Sequence, residues 1–132
     1  MVPLPTDLLM GPIASPVRGA HGGQATEPEG RAIDRLCAPG GVRAVFQPIV
    51  RIGDGAVVGY EALCRSVEPE PTTPEQWFRT ADRLGRRVEL ELACLHATAA
   101  AGPPPGEALL FVNVSPALLA DPRSLELRDQ LP

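Results

Sequence analysis

Lysine is absent from this 132-residue chain, and all 12 basic side chains are arginine. No ε-amine is available to form a Schiff base, act as a buried general base or serve as a P-loop phosphate ligand. Aromatic residues are scarce. The five rings are Phe46, Tyr60, Trp77, Phe78 and Phe111, so nothing before position 46 offers a large core anchor. Cysteine is sparse too. Cys37, Cys64 and Cys94 are odd in number and far apart, which suits neither a CxxC zinc knuckle nor a disulfide framework and points to a reducing cytoplasm. No apolar run approaches the roughly 18 residues of a transmembrane span. The opening Met1-Val2-Pro3-Leu4-Pro5 lacks the basic n-region of a signal peptide. The chain is therefore expected to be cytoplasmic, with no membrane segment. Sixteen acidic residues give a net charge of −4. That balance argues against a non-specific nucleic-acid binder, which would present a basic stripe, so no nucleic-acid polymer is expected as a partner. Length excludes one more class, because a closed (β/α)₈ barrel needs at least roughly 200 residues.

What is present divides the chain in two. Proline (16) and glycine (13) are abundant, and with small polar residues they dominate the start. Residues 1–41 read as a flexible leader, with a turn of helix at 7–10, His21 in a glycine-rich stretch, and a short helix at 31–37 stopped by Pro39-Gly40-Gly41. The ordered part is expected from residue 42 to 132. Two β-rich runs at 43–52 and 56–65 flank Gly53-Asp54-Gly55 and predict a β-hairpin. Pro48 cannot donate to a ladder, so the first strand should be an edge or carry a bulge.

Thr73 as N-cap, Pro74 at the first helical position and Gln76 as the capping-box partner start a helix that Gly85 ends. A second helix is expected over 86–101, stopped by Gly102-Pro103-Pro104-Pro105-Gly106. Residues 108–114 form a nearly continuous apolar run, as in a strand buried on both faces. Ser115 and Pro116 then suit the start of a short helix at 117–120. The order β-β-α-α-β-α is an α/β pattern opened by a hairpin.

Alternation in the second strand sets Gly59, Glu61, Leu63 and Arg65 on one face and Val58, Tyr60, Ala62 and Cys64 on the other. A carboxylate on a strand built for burial must be paired, protonated or metal-bound, and Gly59 would leave room beside it for a ligand. Asn113 likewise interrupts an apolar strand end. Carboxylate and amide oxygens there suit a hard cation such as Mg²⁺ or Mn²⁺. The same residues also fit a structural account: Glu61 and Arg65 exposed or held in an ion pair, and Asn113 as a turn or cap residue. Glu89 and Glu91 read as a solvated charged helix face, His96 as a half-buried helix residue, and Cys64 as a small core residue.

Phe46-Gln47-Pro48-Ile49-Val50, Gly59-Tyr60-Glu61-Ala62-Leu63-Cys64-Arg65 and Phe111-Val112-Asn113-Val114-Ser115 together resemble the opening third of an EAL domain, the bacterial cyclic di-GMP phosphodiesterase family. The helical stretch at 79–97 is similar to that family's first helices. The resemblance implies a modified (β/α)₈ TIM-like barrel whose first strand is antiparallel, here incomplete. It implies Glu61 and Asn113 as metal-binding residues for Mg²⁺ or Mn²⁺, and Gln47, Leu63 and Arg65 as contacts to the substrate, cyclic di-GMP, which the family opens to linear pGpG. The family's paired aspartates, catalytic lysine and later glutamate have no match in this chain, so no catalytic residue is assigned and the chain is expected to be inactive alone. The leading expectation is the N-terminal part of a truncated phosphodiesterase. The alternative is a non-catalytic module that binds cyclic di-GMP or pairs with a partner domain or a second copy through an open strand edge.

Overall fold

The computed structural model describes residues 26–131, apart from Glu70 and Glu107. The helical turn expected at 7–10 and His21 lie outside the described residues. Glu27–Cys37 forms α1, Val42–Val50 β1, Val57–Ser66 β2, Pro74–Arg83 α2 and Arg87–Ala101 α3. Leu109–Val112 forms β3, followed by two short helices, α4 at Pro116–Leu119 and α5 at Pro122–Arg128. The three strands make one sheet in the order β1-β2-β3, antiparallel between β1 and β2 and parallel between β2 and β3. No helix among the described residues is long and apolar enough to cross a membrane.

The local signals act as their chemistry requires. In the hairpin turn the Asp54 carboxylate accepts hydrogen bonds from the Ala56 amide at 3.1 Å and the Arg51 guanidinium at 2.7 Å, while Gly55 takes φ 70°. β1 lies at the sheet edge, where Pro48 costs no ladder bond on the far side, and its register slips between Ile49 and Val50. The Thr73–Gln76 capping box forms in both directions, with Gln76 Oε1 accepting from the Thr73 amide at 2.8 Å. Gly85 follows α2 at φ 67°, a left-handed turn that a Cβ would strain.

Two expectations about the elements are corrected here, and one element is new. The helix read inside the flexible leader starts at Glu27, behind a Thr26–Glu29 capping box, and joins the core: Ile33 and Leu36 are each 1% exposed. Burying two such side chains stabilises by roughly 1.5–3 kcal/mol each, which explains why α1 docks. The run at 108–114 is not buried on both faces. It yields only the four residues of β3, and Leu109 and Phe111 remain exposed. α5 was not anticipated, although Asp121 caps it by accepting from the Arg123 amide at 3.0 Å and Pro122 takes its first position.

Helices cover one face of the sheet. α1, α2 and α3 enclose Ile33, Leu36, Val42, Trp77, Ala81 and Leu90, while α3, α4 and α5 enclose Leu92, Leu95, Leu118 and Leu127 beside Val112. Arginines bind the helices to one another. Arg83 meets Glu29 at 2.6 Å, Arg86 meets Asp34 at 2.6 Å, and Arg87 meets Asp82 at 2.7 Å.

Glu91 departs furthest from its sequence reading. It is buried rather than solvated, at 5% exposure. Its carboxylate accepts from Arg87 Nε at 2.9 Å and from Ser115 Oγ at 2.6 Å, and the same Ser115 oxygen accepts from the Leu118 amide at 3.1 Å. One buried carboxylate thus fixes the corner where β3 leaves the sheet and α4 begins. Glu89, by contrast, is half-buried and pairs with Arg86, and His96 is exposed rather than half-buried.

Three outcomes are expected from this packing. Glu91→Leu removes two hydrogen bonds to a charged acceptor and should lower unfolding stability by about 2 kcal/mol, softened because Arg87 keeps Asp82 and solvent. A urea midpoint equal to wild type would contradict this. A Cβ on Gly59 would lie 2.6 Å from Phe111 Cε2 and 2.8 Å from the Leu109 carbonyl oxygen. Gly59→Ala should therefore cost about 1–3 kcal/mol, and adding Phe111→Ala should recover only part because the carbonyl clash remains. The third concerns Cys37, whose thiol is pushed up to about 11 by burial and by the Glu89 carboxylate. The unfolded chain loses this proton near 9.0 while the folded chain keeps it. Its stabilisation is thus complete below pH 9 and falls away as the pH rises toward 11. Denaturation midpoints across that range should decline less steeply in Cys37→Ala.

Candidate active site

The face of the sheet opposite the helices carries the residues singled out in the sequence. Ladder register places Gln47 directly across from Glu61, Val45 across from Leu63, and Arg43 across from Arg65. On the other side Phe111 stands opposite Glu61. Asn113 follows β3 by one residue and, by alternation, shares the face of Phe111 and Glu61.

Glu61 and Asn113 meet. Asn113 Nδ2 donates to Glu61 Oε1 at 2.6 Å, joining residues 52 apart in sequence. Both interruptions of apolar strands are thereby explained together, since each supplies the other's partner. Glu61 is half-buried and Asn113 is exposed, so the pair lies at the rim of the sheet within reach of solvent. The Glu91–Ser115 bond sits two residues beyond Asn113 and anchors the chain that presents it.

The remaining candidates share the face without touching the pair through any hydrogen bond. Gln47 is exposed and Leu63 half-buried. Arg65 is exposed at the far end of β2, where its Nη1 donates to the Cys64 carbonyl at 2.8 Å. No carboxylate pairs with it among the described residues, so the ion pair between Glu61 and Arg65 does not form. The space expected beside Glu61 is also not open. The Phe111 ring lies against Gly59, which is buried, and fills the place a ligand would have taken. Any ligand must therefore sit above that ring, toward Gln47 and Asn113.

Cys64 lies on the opposite face with Cys94 of α3 as its neighbour. The Cys94 thiol is pushed up by its contact with Cys64 and by burial, which keeps it a protonated core group. A cavity of about 970 Å³ also belongs to that opposite side, lined by Cys37, Val42, Ala44, Ala93 and Ala97, away from Glu61.

Glu61 and Asn113 contribute hard oxygen donors of the kind Mg²⁺ or Mn²⁺ prefers. The fit is to one edge of such a site. Octahedral coordination needs six ligands, and no three His, Cys, Asp or Glu side chains among the described residues come together to hold a metal. In the present arrangement the amide nitrogen faces the carboxylate, so a shared cation requires the Asn113 carboxamide to turn its oxygen inward.

Comparison with known proteins completes the picture. No curated protein matches the chain. A family model does, the EAL domain, over residues 31–131, a span that takes in α1 from Arg31 onward, β1 to β3 and the Glu61–Asn113 pair. The chain belongs to the EAL domain family, whose type is the cyclic di-GMP phosphodiesterase.

Proposed function

We propose that this chain supplies one wall of a cyclic di-GMP phosphodiesterase site, with Glu61 and Asn113 on the metal side and Gln47, Leu63 and Arg65 on the dinucleotide side. The observation that carries this reading is the 2.6 Å contact of Asn113 with Glu61, which unites the two motif residues matching the family's metal ligands. β1 to β3 would form the opening strands of the family's TIM-like barrel, the antiparallel β1 corresponding to its reversed first strand.

Each residue has a defined task in this scheme. Glu61 offers the anionic oxygen and Asn113 a neutral one, so together they would hold a divalent cation with modest local charge. When bound, such a cation lowers the pKa of a coordinated water and offsets charge developing on phosphoryl oxygens. Arg65 presents a planar fork of donors suited to bidentate phosphate binding. Gln47, directly across from Glu61, offers an amide able both to donate and to accept at a guanine or ribose edge.

A second reading has its own support. The chain contains no lysine, although the family uses one in catalysis, and among the described residues only two metal-side side chains, Glu61 and Asn113, come together. Binding of cyclic di-GMP without cleavage is what these residues can perform by themselves.

Calorimetry and product analysis separate the outcomes. The purified 132-residue chain with Mg²⁺ or Mn²⁺ should bind cyclic di-GMP, and Glu61→Gln should weaken that binding about tenfold through loss of the anionic metal ligand. No pGpG should appear. Absence of heat at high micromolar dinucleotide would sink the binding role. Hydrolysis abolished by Glu61→Gln would instead show that the chain is a complete catalyst.

A further inference from the structure

The β1–β2 ladder sets Arg43 directly opposite Arg65. Side chains paired this way have Cβ atoms about 4.5–5.5 Å apart, and like charges so placed destabilise the pair of strands. Both residues are exposed. Other arginines of the fold are matched to acids: Arg51 to Asp54, Arg83 to Glu29, Arg86 to Asp34, Arg87 to Asp82 and Arg123 to Asp121. Among the described residues no carboxylate pairs with Arg43 or Arg65, in a chain where acids outnumber arginines 16 to 12. One hydrogen bond among the described residues engages either guanidinium, Arg65 Nη1 to the Cys64 carbonyl, and it leaves the charge uncompensated. By strand alternation both arginines stand on the face of Gln47 and Glu61, four residues beyond Glu61 on β2 and four before Gln47 on β1.

Two arginine side chains that leave paired positions of one ladder, with no acid bound to either among the described residues, can converge on an anion with oxygens on more than one side. A carboxylate offers two oxygens in one plane, which a single arginine already occupies. A phosphate group presents its oxygens tetrahedrally and can take one fork from each strand. We propose that Arg43 is a second phosphate-binding residue and that it acts with Arg65 as a two-guanidinium clamp spanning the hairpin. The clamp would hold a phosphate of the ligand whose metal-side edge is Glu61 and Asn113. For the identity of that ligand the proposal rests on the cyclic dinucleotide reading above; for phosphate recognition itself it rests on the register alone.

The test has two arms. In the first, thermal melts of the 132-residue chain are compared in sodium pyrophosphate and in sodium chloride at matched ionic strength. Wild type should melt higher in pyrophosphate. Arg43→Gln and Arg65→Gln should each lose most of that gain, and Arg128→Gln, an exposed arginine elsewhere, should keep it. Without any anion at low ionic strength, Arg43→Gln should melt above wild type because the like-charge pair is gone, and added chloride should shrink the difference. In the second arm, calorimetry with cyclic di-GMP should show Arg43→Gln weakening affinity about tenfold. A wild type that gains nothing from pyrophosphate, or an Arg43→Gln that retains the gain or binds cyclic di-GMP as tightly as wild type, overturns the clamp. A gain that depends on Arg43, with no heat from cyclic di-GMP, upholds the clamp and removes the dinucleotide reading.

Discussion

A single buried carboxylate sets the geometry on which the candidate site depends. Glu91 lies inside the corner between α3 and the end of β3, where it receives Arg87 from its own helix and Ser115 from the chain just past the sheet. Desolvating a carboxylate is costly, and the cost is met only while both donors stay in place. That condition makes the corner rigid. It fixes the direction in which the chain leaves β3, and so the position of Asn113 two residues earlier, beside Glu61.

The sheet is correspondingly two-sided. Its helix-covered face follows the usual logic of apolar burial, with Val42 and Val112 packed in the helical clusters and Ala62 buried. Its other face has apolar residues in the open, Leu109 and Phe111, interleaved with polar and charged ones. Packing explains the first face, and the second makes sense as a surface meant to be covered. The Phe111 ring, laid against Gly59, closes part of that surface beside Glu61.

Much of this was legible in the sequence where a residue's role is local. The Gly-Asp-Gly turn, the Thr73–Gln76 box and the Ser115–Pro116 start each depend on a few adjacent residues, and each formed as its chemistry dictates. The interruption of two apolar strands by Glu61 and Asn113 was visible as well, though their contact was not, because it joins positions 52 apart. What escaped was non-local. Glu91 reads as solvated from its neighbours Arg86 and Arg87, since nothing nearby reveals that Ser115 will arrive from 24 residues away. The docking of α1 was hidden by the glycine and proline around it, although Ile33 and Leu36 at helical spacing carried the signal. The Phe111 ring over Gly59 is likewise a cross-strand event, invisible until the parallel register is known.

The arginine pairs that bind the helices together share a property that follows from having no lysine. Guanidinium stays protonated throughout the range in which proteins survive. No clasp between α1, α2 and α3 can therefore be opened by base, and titration undoes each only by neutralising its acid partner. These ion pairs are thus latched from one direction of titration, while amine-seeking reagents find no lysine side chain on which to act.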